Sequence, residues 1–287
     1  MANQGISMFV PTLLQYGTEE QKQAYIGPTI RGELIWCQGY SEPGSGSDLA
    51  SLKTSAVLDG DEFVVNGQKI WTSTAKEAAM MFALVRTEPD ARKHEGISYL
   101  LLDMKTPGIT VRPLVMMTGQ AGFNEVFFDN VRVPRTNLIG KRGQGWEVGK
   151  ATLVHERNML GAADFTENTY HGCVEVMREF GVLEHPVYRD RLMRLSARTQ
   201  AMKYHAMRML TDRLKRRLAI APALITKLNG CQLNHDLCGL AIDAMQEVGT
   251  LKRGSRHVRS EGGWQNNYMF QLGLIIGGGT AQIQKNI

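Results

Sequence analysis

The amino-acid sequence predicts an α+β fold, in which a small β-barrel or β-sandwich domain lies between an N-terminal helical segment and a C-terminal antiparallel four-helix bundle. Two observations support this prediction. Short strand-like segments follow one another up to residue 134, and apolar residues three or four positions apart dominate the sequence after residue 145. We therefore expect three domains, at residues 1–34, 35–135 and 136–287.

Composition narrows the class of protein. The 287 residues are enough for one large or two ordinary domains, and contents of 43% hydrophobic and 21% charged residues are those of a globular protein. The net charge of +5 suits anionic small molecules, such as a CoA ester or a dinucleotide, and does not require nucleic acid. No apolar run approaches the roughly 18 residues that indicate a membrane-spanning helix. We expect neither a membrane span nor a nucleic-acid partner.

Helices are predicted at both ends of the chain. Residues 1–34 are expected to be helical, with Thr18 and Gln21 forming a capping box at a helix start. Short loops between the later helices predict antiparallel neighbours and hence a bundle. The long helices are expected at residues 146–181, 186–217 and 222–249, followed by a polar loop at 252–263 and a last helix after Thr280.

Strands are predicted in the middle of the chain. Asp59-Gly60-Asp61 separates two strand-like runs, at residues 53–58 and 62–66, and this pattern predicts a hairpin. Because no helical period separates these strands from the later ones, they predict a compact barrel or sandwich. The further strands are expected at residues 80–86, 97–103, 110–114 and 124–133.

The cysteines give no sign of a metal site. Cys37, Cys173, Cys231 and Cys238 form no Cys-x-x-Cys pair, and none of the seven histidines falls into a ligand spacing with them. We expect four reduced and mostly buried thiols, and no metal.

Three separated motifs carry the chemical information. The first is Ser-Glu-Pro-Gly-Ser-Gly-Ser-Asp at residues 41–48, in which Gly44 and Gly46 permit unusual backbone conformations and offer amides to an anion or a ring carbonyl. The second is Asn-Gly-Gln-Lys-Ile-Trp-Thr-Ser at residues 66–73. The third is Gly-Gly-Gly-Thr-Ala-Gln-Ile-Gln-Lys-Asn-Ile at residues 277–287. Each alone is ordinary turn chemistry, but together they indicate one binding function.

In this order, the motifs resemble those of the acyl-CoA dehydrogenase family of flavoproteins. Residues 16–22, Tyr-Gly-Thr-Glu-Glu-Gln-Lys, are also similar to that family, so that the resemblance covers nearly the whole chain. The family usually begins with roughly a hundred further helical residues, and residues 1–34 are therefore expected to be the remnant of an N-terminal helical domain. Without those helices we expect an exposed apolar patch, formed by Ile6, Phe9, Val10, Leu13 and Leu14.

The resemblance implies an FAD site. It places Tyr40 and Ser41 along the flavin ring, Trp71 against the ring, and Ser73 as a hydrogen-bond donor near the reactive ring nitrogen. The alternative for Trp71 is an ordinary core aromatic residue. The remaining positions that match FAD contacts, in part from a second subunit, are Gln246, Gly249, Thr280 and Gln282.

The resemblance also locates a catalytic base. Most family members carry the catalytic glutamate immediately before the Gly-Thr of the terminal motif, where this sequence has Gly278. Members typified by isovaleryl- and long-chain acyl-CoA dehydrogenases carry it on the first long bundle helix, where this sequence has Glu156. Burial on an apolar helix face would raise the pKa of Glu156 toward the range of a general base. That face is predicted to contain Leu153, Leu160 and Ala163. A purely structural salt bridge of Glu156, and His155 as the base, are the open alternatives.

The implied activity is FAD-dependent dehydrogenation of an acyl-CoA thioester to the 2-enoyl-CoA, in fatty-acid or related acyl catabolism, with Ser47 and Arg157 as substrate contacts. Electrons would pass to an electron-transferring flavoprotein. The protein would assemble as a homodimer or a dimer of dimers, or as a heteromer, in a bacterial cytoplasm or a mitochondrial matrix. Two rivals remain: a half-site subunit that completes a partner's FAD site, and a flavin-dependent acyl-CoA oxidase.

Overall fold

Two units divide the chain between its strand-rich and helix-rich parts. The computed structural model describes residues 4–217 and 220–286. The sheet unit is Met1–Glu156 and the helical unit is Arg157–Ile287. The expected α+β class is confirmed, and the predicted domain limits remain predictions.

The first helices form where the sequence predicts them. One π-helical turn, Gly5–Phe9, leads into α1 (Val10–Tyr16) and then α2 (Glu19–Ile30). The capping box at the start of α2 is confirmed: Thr18 Oγ1 accepts from Gln21 N at 3.3 Å, and Gln21 Oε1 accepts from Thr18 N at 3.0 Å. The cap satisfies amides that the first helical turn leaves without intrahelical partners.

The expected apolar patch on these helices is largely wrong. Phe9 is fully buried, and its ring stacks on Trp36 with centroids 3.8 Å apart and lies 5.9 Å from the ring of Phe82. Val10 and Leu13 are also buried. The helical segment therefore covers the sheet with its own apolar face. Only Ile6 and Leu14 of the patch are exposed.

The strands form one sheet. They are β1 (Trp36–Gly39), β2 (Ser55–Asp59), β3 (Glu62–Ser73), β4 (Met80–Arg86), β5 (Ile97–Asp103), β6 (Ile109–Leu114), β7 (Phe123–Pro134) and β8 (Leu138–Ile139). Their order is β6-β7-β3-β2-β4-β5-β8, with β1 parallel to β4. The predicted barrel or sandwich is not confirmed, because in the described residues the path of strand pairing is open, with β6 and β8 at its ends.

The predicted hairpin is confirmed, and its second strand is longer than expected. β2 pairs antiparallel with β3 from Asp59↔Glu62 to Ser55↔Asn66, and Gly60 between them has φ +61°. β3 then continues along β7 to Ser73. The second sequence motif therefore lies on a strand of the sheet and not in a loop.

One long helix of the predicted helical region is two helices in the structure. The expected helix at 146–181 is interrupted, giving α3 (Gly145–Met159) and α4 (Ala163–Glu179). Gly161 lies in the interruption with φ +76°, where a Cβ would come within 2.7 Å of the Thr226 carbonyl oxygen. Leu160 and Ala163 therefore do not share a helix face with Glu156, and that predicted apolar stripe is wrong.

The helical unit packs around one central helix. The helix α6 (Ile220–Ala244) contacts α4, α5 (Pro186–Leu214) and α7 (Gly263–Ile276), and α4 also contacts α5. The short helix α8 (Ala281–Asn286) follows Thr280 as expected, whereas α7 lies where no helix was predicted. Four long helices thus pack together, and their antiparallel arrangement as a bundle remains a prediction. In the described part of the chain, no helix is both long and apolar enough to cross a bilayer.

Candidate functional site

The first motif forms a tight bend with an exposed tip. Backbone hydrogen bonds join Glu42 and Ser45 in both directions, at 2.9 and 3.0 Å, and the Ser45 hydroxyl donates to the Asp48 carbonyl oxygen at 2.9 Å. Gly44 and Gly46 are exposed, and a Cβ on either would meet no described atom within 4 Å. Neither glycine has a positive φ. These two glycines therefore leave open space beside the bend, which a ligand could use. They do not adopt the unusual backbone conformation that the sequence suggested.

A buried ion pair holds this bend against β3. Lys69 Nζ lies 2.8 Å from Glu42 Oε1, with the lysine side chain fully buried and the glutamate side chain 8% exposed. Burial lowers the pKa of Lys69 to about 8. Burial alone would raise the pKa of Glu42, but the Lys69 charge and hydrogen bonds from Thr54 and Lys53 hold it below its usual value. Sequence reasoning missed this pair, although Lys69 has the same strand parity as the buried Phe63.

Trp71 lies on a strained and exposed bulge. Its φ is +60°, and the register of β3 with β7 shifts between Lys69 and Thr72. The indole is 59% exposed and meets only the edge of the Phe123 ring, at 6.1 Å, among the ring contacts described. The alternative of a core aromatic is therefore wrong. Strained backbone that presents a large apolar side chain to solvent is typical of ligand-binding positions.

The residues after Trp71 supply polar groups. Ser73 is half-buried, and its carbonyl oxygen accepts from the Thr74 hydroxyl at 2.7 Å. The Thr72 hydroxyl is buried and makes no hydrogen bond within the part of the chain described. A buried polar atom without a partner costs about 1–3 kcal/mol. The Thr72 hydroxyl is therefore an unsatisfied buried group on the strand that carries Trp71.

Tyr40 and Ser41 differ in their surroundings. The Tyr40 ring is 4% exposed and packs edge-on against Phe82 and Tyr99, at 6.1 and 6.3 Å. Burial, and then the Tyr99 hydroxyl, raise the pKa of Tyr40 well above its usual value. Ser41 is half-buried, and its carbonyl oxygen accepts from Ile70 N at 2.9 Å. Ser47 lies at the exposed tip of the bend.

Glu156 faces β1 of the same unit. It lies in the last turn of α3, is half-buried, and accepts a hydrogen bond from Gln38 Nε2 at 3.4 Å. Gln38 is two residues before Tyr40, whose raised pKa includes a contribution from the Glu156 charge. The candidate base therefore lies beside the strand that leads into the first motif. Arg157 follows it and is half-buried.

Glycines on α3 explain this placement. A Cβ on Gly145 would collide with the backbone of Ser98, and a Cβ on Gly149 would come within 3.1 Å of Leu84 Cδ1. The helix therefore approaches the sheet closely along one face, on which Thr152 is buried and lies 2.9 Å, oxygen to oxygen, from the hydroxyl of Thr12. Glu156 continues this face, because 145, 149, 152 and 156 follow helical spacing. The spacing of these glycines in the sequence could have predicted which side of α3 faces the sheet.

The helical unit contains the other predicted FAD contacts. Gln246 is exposed with φ +53°. Gly249 is buried, a Cβ there would collide with the Ile242 carbonyl oxygen, and its own carbonyl oxygen accepts from Gln265 Nε2 at 2.7 Å. Only glycine fits at position 249, and the turn presents Gln246 to solvent.

Buried polar side chains donate hydrogen bonds to the backbone of the glycine-rich terminal motif. Lys227 Nζ donates to the carbonyl oxygens of Ile275 at 2.8 Å and Gly279 at 2.6 Å, and Gln284 Nε2 donates to the Gly278 carbonyl oxygen at 2.8 Å. Thr280 Oγ1 accepts from Ile283 N at 3.3 Å and caps α8. Gln282 is exposed.

A separate groove in the helical unit, of about 650 Å³, contains none of the predicted site residues. It lies between α5, α6 and α7, and each arginine that lines it is ion-paired: Arg191 with Asp243, Arg194 with Asp190 and Arg198 with Asp236.

The four cysteines are buried free thiols, as expected. Burial raises the pKa of each; for Cys173 and Cys238 the value is about 12, so these thiols are unreactive at neutral pH. Among the described residues, no cluster of three or more His, Cys, Asp or Glu side chains could hold a metal ion.

Comparisons with known proteins identify the family of this chain. The family model "Acyl-CoA dehydrogenase, middle domain" matches residues 37–131, and "Acyl-CoA dehydrogenase, C-terminal domain" matches residues 143–287. The acyl-CoA dehydrogenase IpdE1 of Mycobacterium tuberculosis is 38% identical over 294 residues, which cover 99% of this chain and 72% of that protein.

Two solved structures have the same fold. A steroid ACAD, Tcur3481-Tcur3483, matches 99% of this chain and 74% of its own, with 32% identity and a TM-score of 0.92. The ChsE4-ChsE5 complex from Mycobacterium tuberculosis matches 98% and 74%, with 31% identity and a TM-score of 0.88. The family models and a relative of this identity and coverage, named an acyl-CoA dehydrogenase, define the class of the protein as a flavin-dependent oxidoreductase. The chain belongs to the acyl-CoA dehydrogenase family.

Proposed function

We propose that this protein uses Glu156 to remove the proton α to the thioester carbonyl of an acyl-CoA, in the FAD-dependent formation of a 2-enoyl-CoA. The observation that carries the proposal is the contact of Glu156 with Gln38, two residues before Tyr40, because it brings a carboxylate to the strand that leads into the first motif. Gly278 has no side chain and cannot serve as base.

The residues of the sheet unit fit a flavin. The exposed indole of Trp71 offers a flat apolar surface, and the half-buried Ser41 and Ser73 offer polar groups on adjacent segments. Ser47, at the open tip of the bend, suits a phosphate or the substrate, and Arg157 suits the substrate. Bound FAD supplies the hydride acceptor in this class of reaction.

We propose that the helical unit serves the FAD of a second copy or of a partner chain. Gln246 is exposed on a turn that Gly249 makes possible, and Thr280 and Gln282 lie at the terminal motif. In the reaction, Tyr40 and Gln38 exclude water and orient the carboxylate, while Glu156 takes the proton on a carboxylate oxygen. An electron-transferring flavoprotein is the proposed acceptor.

The test replaces the Glu156 carboxylate by an amide of nearly the same shape. Glu156→Gln should lower the rate of flavin reduction by acyl-CoA roughly thousand-fold, about 4 kcal/mol of activation free energy. The matched control is Glu147→Gln, on the same helix but exposed, which should reduce flavin at the wild-type rate. FAD content, measured by absorbance, should be equal in all three proteins.

The same experiment can contradict the proposal in two ways. Flavin reduction at the wild-type rate in Glu156→Gln excludes this residue as the base. A purified wild-type protein that neither contains nor takes up FAD excludes the FAD-dependent activity of this chain alone.

A half-site subunit is the second candidate, because one similar structure is the ChsE4-ChsE5 complex and another, Tcur3481-Tcur3483, carries two chain names. The latter is a steroid ACAD, and ring-bearing acyl groups therefore belong among the substrates to be tested. We would assay straight-chain, branched and steroid-bearing acyl-CoA esters with an artificial electron acceptor. Activity that appears only after adding a second family chain supports the half-site reading.

A further inference from the structure

We propose that the buried Lys69–Glu42 ion pair is a positioning element of the flavin site, which holds the first motif at a fixed distance from Trp71. The inference rests on the FAD site proposed above, but its central claim concerns the protein alone. Neither charged group is assigned a contact with substrate or cofactor, and the pair acts through Ser41 and Trp71.

Lys69 and its neighbour bind three consecutive residues, Tyr40 and the first two residues of the first motif. Lys69 Nζ donates to the Tyr40 carbonyl oxygen at 3.1 Å and to Glu42 Oε1 at 2.8 Å. Between them, Ile70 N donates to the Ser41 carbonyl oxygen at 2.9 Å. Because the lysine side chain is fully buried, it has no room to swing away. The backbone around Ser41 is therefore tied to β3 on both sides.

The Glu42 carboxylate is also bound by two backbone amides. Glu42 Oε2 accepts from Lys53 N at 2.6 Å, and Glu42 Oε1 accepts from Thr54 N at 2.9 Å. These bonds close the loop between Glu42 and β2, so the carboxylate cannot follow the ammonium group if the strand shifts. Lys69 on β3 and the two residues just before β2 thus hold the bend through the Glu42 side chain.

Trp71 needs such an anchor. A non-glycine residue with a left-handed backbone costs about 1–3 kcal/mol and persists only where its surroundings impose it. On one side of Trp71, Lys69 is fixed by the ion pair. On the other side, the Thr72 carbonyl oxygen accepts from Asn124 Nδ2 at 2.9 Å. The bulge is held between these two polar anchors.

Stability alone does not account for the pair. Removing two charges from water costs several kcal/mol per ion, and well-packed apolar residues often replace a buried pair without loss of stability. An ion pair differs from apolar packing because it specifies particular atoms, distances and directions. Lys69 and Glu42 both remain charged near neutral pH, since the Lys69 pKa is about 8 and the Glu42 pKa lies below its usual value.

The test distinguishes an effect of the ion pair on the position of Trp71 from an effect on the stability of the fold. The variants are Lys69→Met and the double variant Glu42→Gln with Lys69→Met, in the full chain. The matched control is Arg132→Met, which removes an exposed ion pair with Asp59 on the neighbouring part of the same sheet. Denaturant unfolding should show the double variant close to wild type, because neither charge is left unpaired.

The first readout needs no cofactor. Acrylamide quenching and anisotropy of Trp71 are obtained by subtracting the signal of the Trp71→Phe form of each protein. We expect a more mobile Trp71 in both Lys69 variants and an unchanged Trp71 in the Arg132 control. A wild-type signal in the folded double variant overturns the proposal.

The second readout is FAD binding, followed by the visible flavin spectrum. We expect the FAD dissociation constant of the double variant to rise roughly tenfold or more, which corresponds to about 1.4 kcal/mol. An unchanged dissociation constant and spectrum overturn the proposal even if Trp71 has become mobile. A wild-type protein that binds no FAD overturns the proposed function instead, and the Trp71 signal then still decides whether the pair positions the indole.

Discussion

Long polar side chains in the sheet unit join segments that are distant in the sequence. The Glu42 carboxylate accepts from two backbone amides as well as from Lys69, and the Gln21 amide donates to the carbonyl oxygens of Thr136 and Leu138, at 2.8 and 2.9 Å. Each satisfies backbone groups that burial would otherwise leave unpaired. Single substitutions at such positions therefore disturb more than one segment.

The lowered pKa of Lys69 predicts how stability depends on pH. In the folded chain this lysine titrates at about 8, whereas an unfolded lysine titrates near about 10.4. Between these values the unfolded chain holds a proton that the folded chain has released. The contribution of Lys69 to the free energy of unfolding is therefore largest above the unfolded pKa and is lost as pH falls through about 8, with a slope of at most about 1.4 kcal/mol per pH unit.

The reference for this measurement is the double variant Glu42→Gln with Lys69→Met, which carries neither charge. We expect the free energy of unfolding of wild type, minus that of the double variant, to increase from pH 8 to pH 10 in denaturant titrations. A flat or falling difference would mean that Lys69 keeps its proton in the folded chain up to its ordinary pKa.

Residue types were easier to predict than residue surroundings. The motif predicts Trp71 as a site residue, but the exposure of its side chain depends on a bulge that β3 forms only against β7. Tyr40, which was predicted to line the same flavin ring, is buried among Phe82 and Tyr99, and these are brought to it by two other strands. Pairing across the sheet decides both outcomes, and no local pattern contains it.

At the scale of elements, α3 shows how glycine positions a helix. Gly145 and Gly149 remove the side chains that would hold the helix away from β5 and β4. Glu156 lies on the same face, about two turns beyond Gly149. The position of the candidate base along the sheet is therefore set by two residues that carry no chemistry.

Substituting each glycine tests this explanation. Gly145→Ala should lower the free energy of unfolding by about 1–3 kcal/mol, because its methyl group would meet the rigid backbone of Ser98. Gly149→Ala should change it by less than about 1 kcal/mol, because the flexible Leu84 side chain can yield and alanine favours helix by a similar amount. Equal effects of the two substitutions, in denaturant titrations, would show that packing against the sheet does not distinguish them.

Helix ends were harder to predict than helix centres. The period of apolar residues continues through Gly161, but the chain takes a left-handed conformation at this glycine, where Thr226 and Gly230 approach it closely. α7 was missed because Asn266, Asn267 and Gly273 are weak helix formers, yet α6 packs along it. In both cases contacts within the helical unit overrule local preference.

At the scale of the whole molecule, the predicted FAD contacts are divided between the two units. Trp71 and Ser73 belong to the sheet unit, whereas Gln246 and Gly249 belong to the helical unit. If one copy supplies its helical-unit contacts to the FAD of another copy, variants in the two units must complement each other.

We expect this complementation in a homodimer. Glu156→Gln and Gly249→Leu should each be inactive alone, since one loses the base and the other cannot form the turn that presents Gln246. Unfolding and refolding them together in equal amounts should restore roughly a quarter of wild-type activity, because half of the dimers are mixed and each mixed dimer has one intact site.

The control mixes Glu156→Gln with Glu156→Gln that carries a different tag, which should stay inactive. Size-exclusion chromatography of each variant confirms that assembly is unchanged. Mixed dimers that form but remain inactive would show that each copy completes its own FAD site, or that the second site belongs to a different partner chain.

The contact between Gly161 and α6 also implies an order in which the helices form during folding. Residues 146–179 carry a periodic pattern that favours one uninterrupted helix, and local helix formation is faster than contacts between distant residues. In the folded chain the interruption packs against Gly230, which enters the chain much later. We therefore expect residues 146–179 of the newly made chain to form one continuous helix first. This helix would divide into α3 and α4 only when α6 packs against it. The boundary beside Glu156 would then be among the last features of the molecule to form.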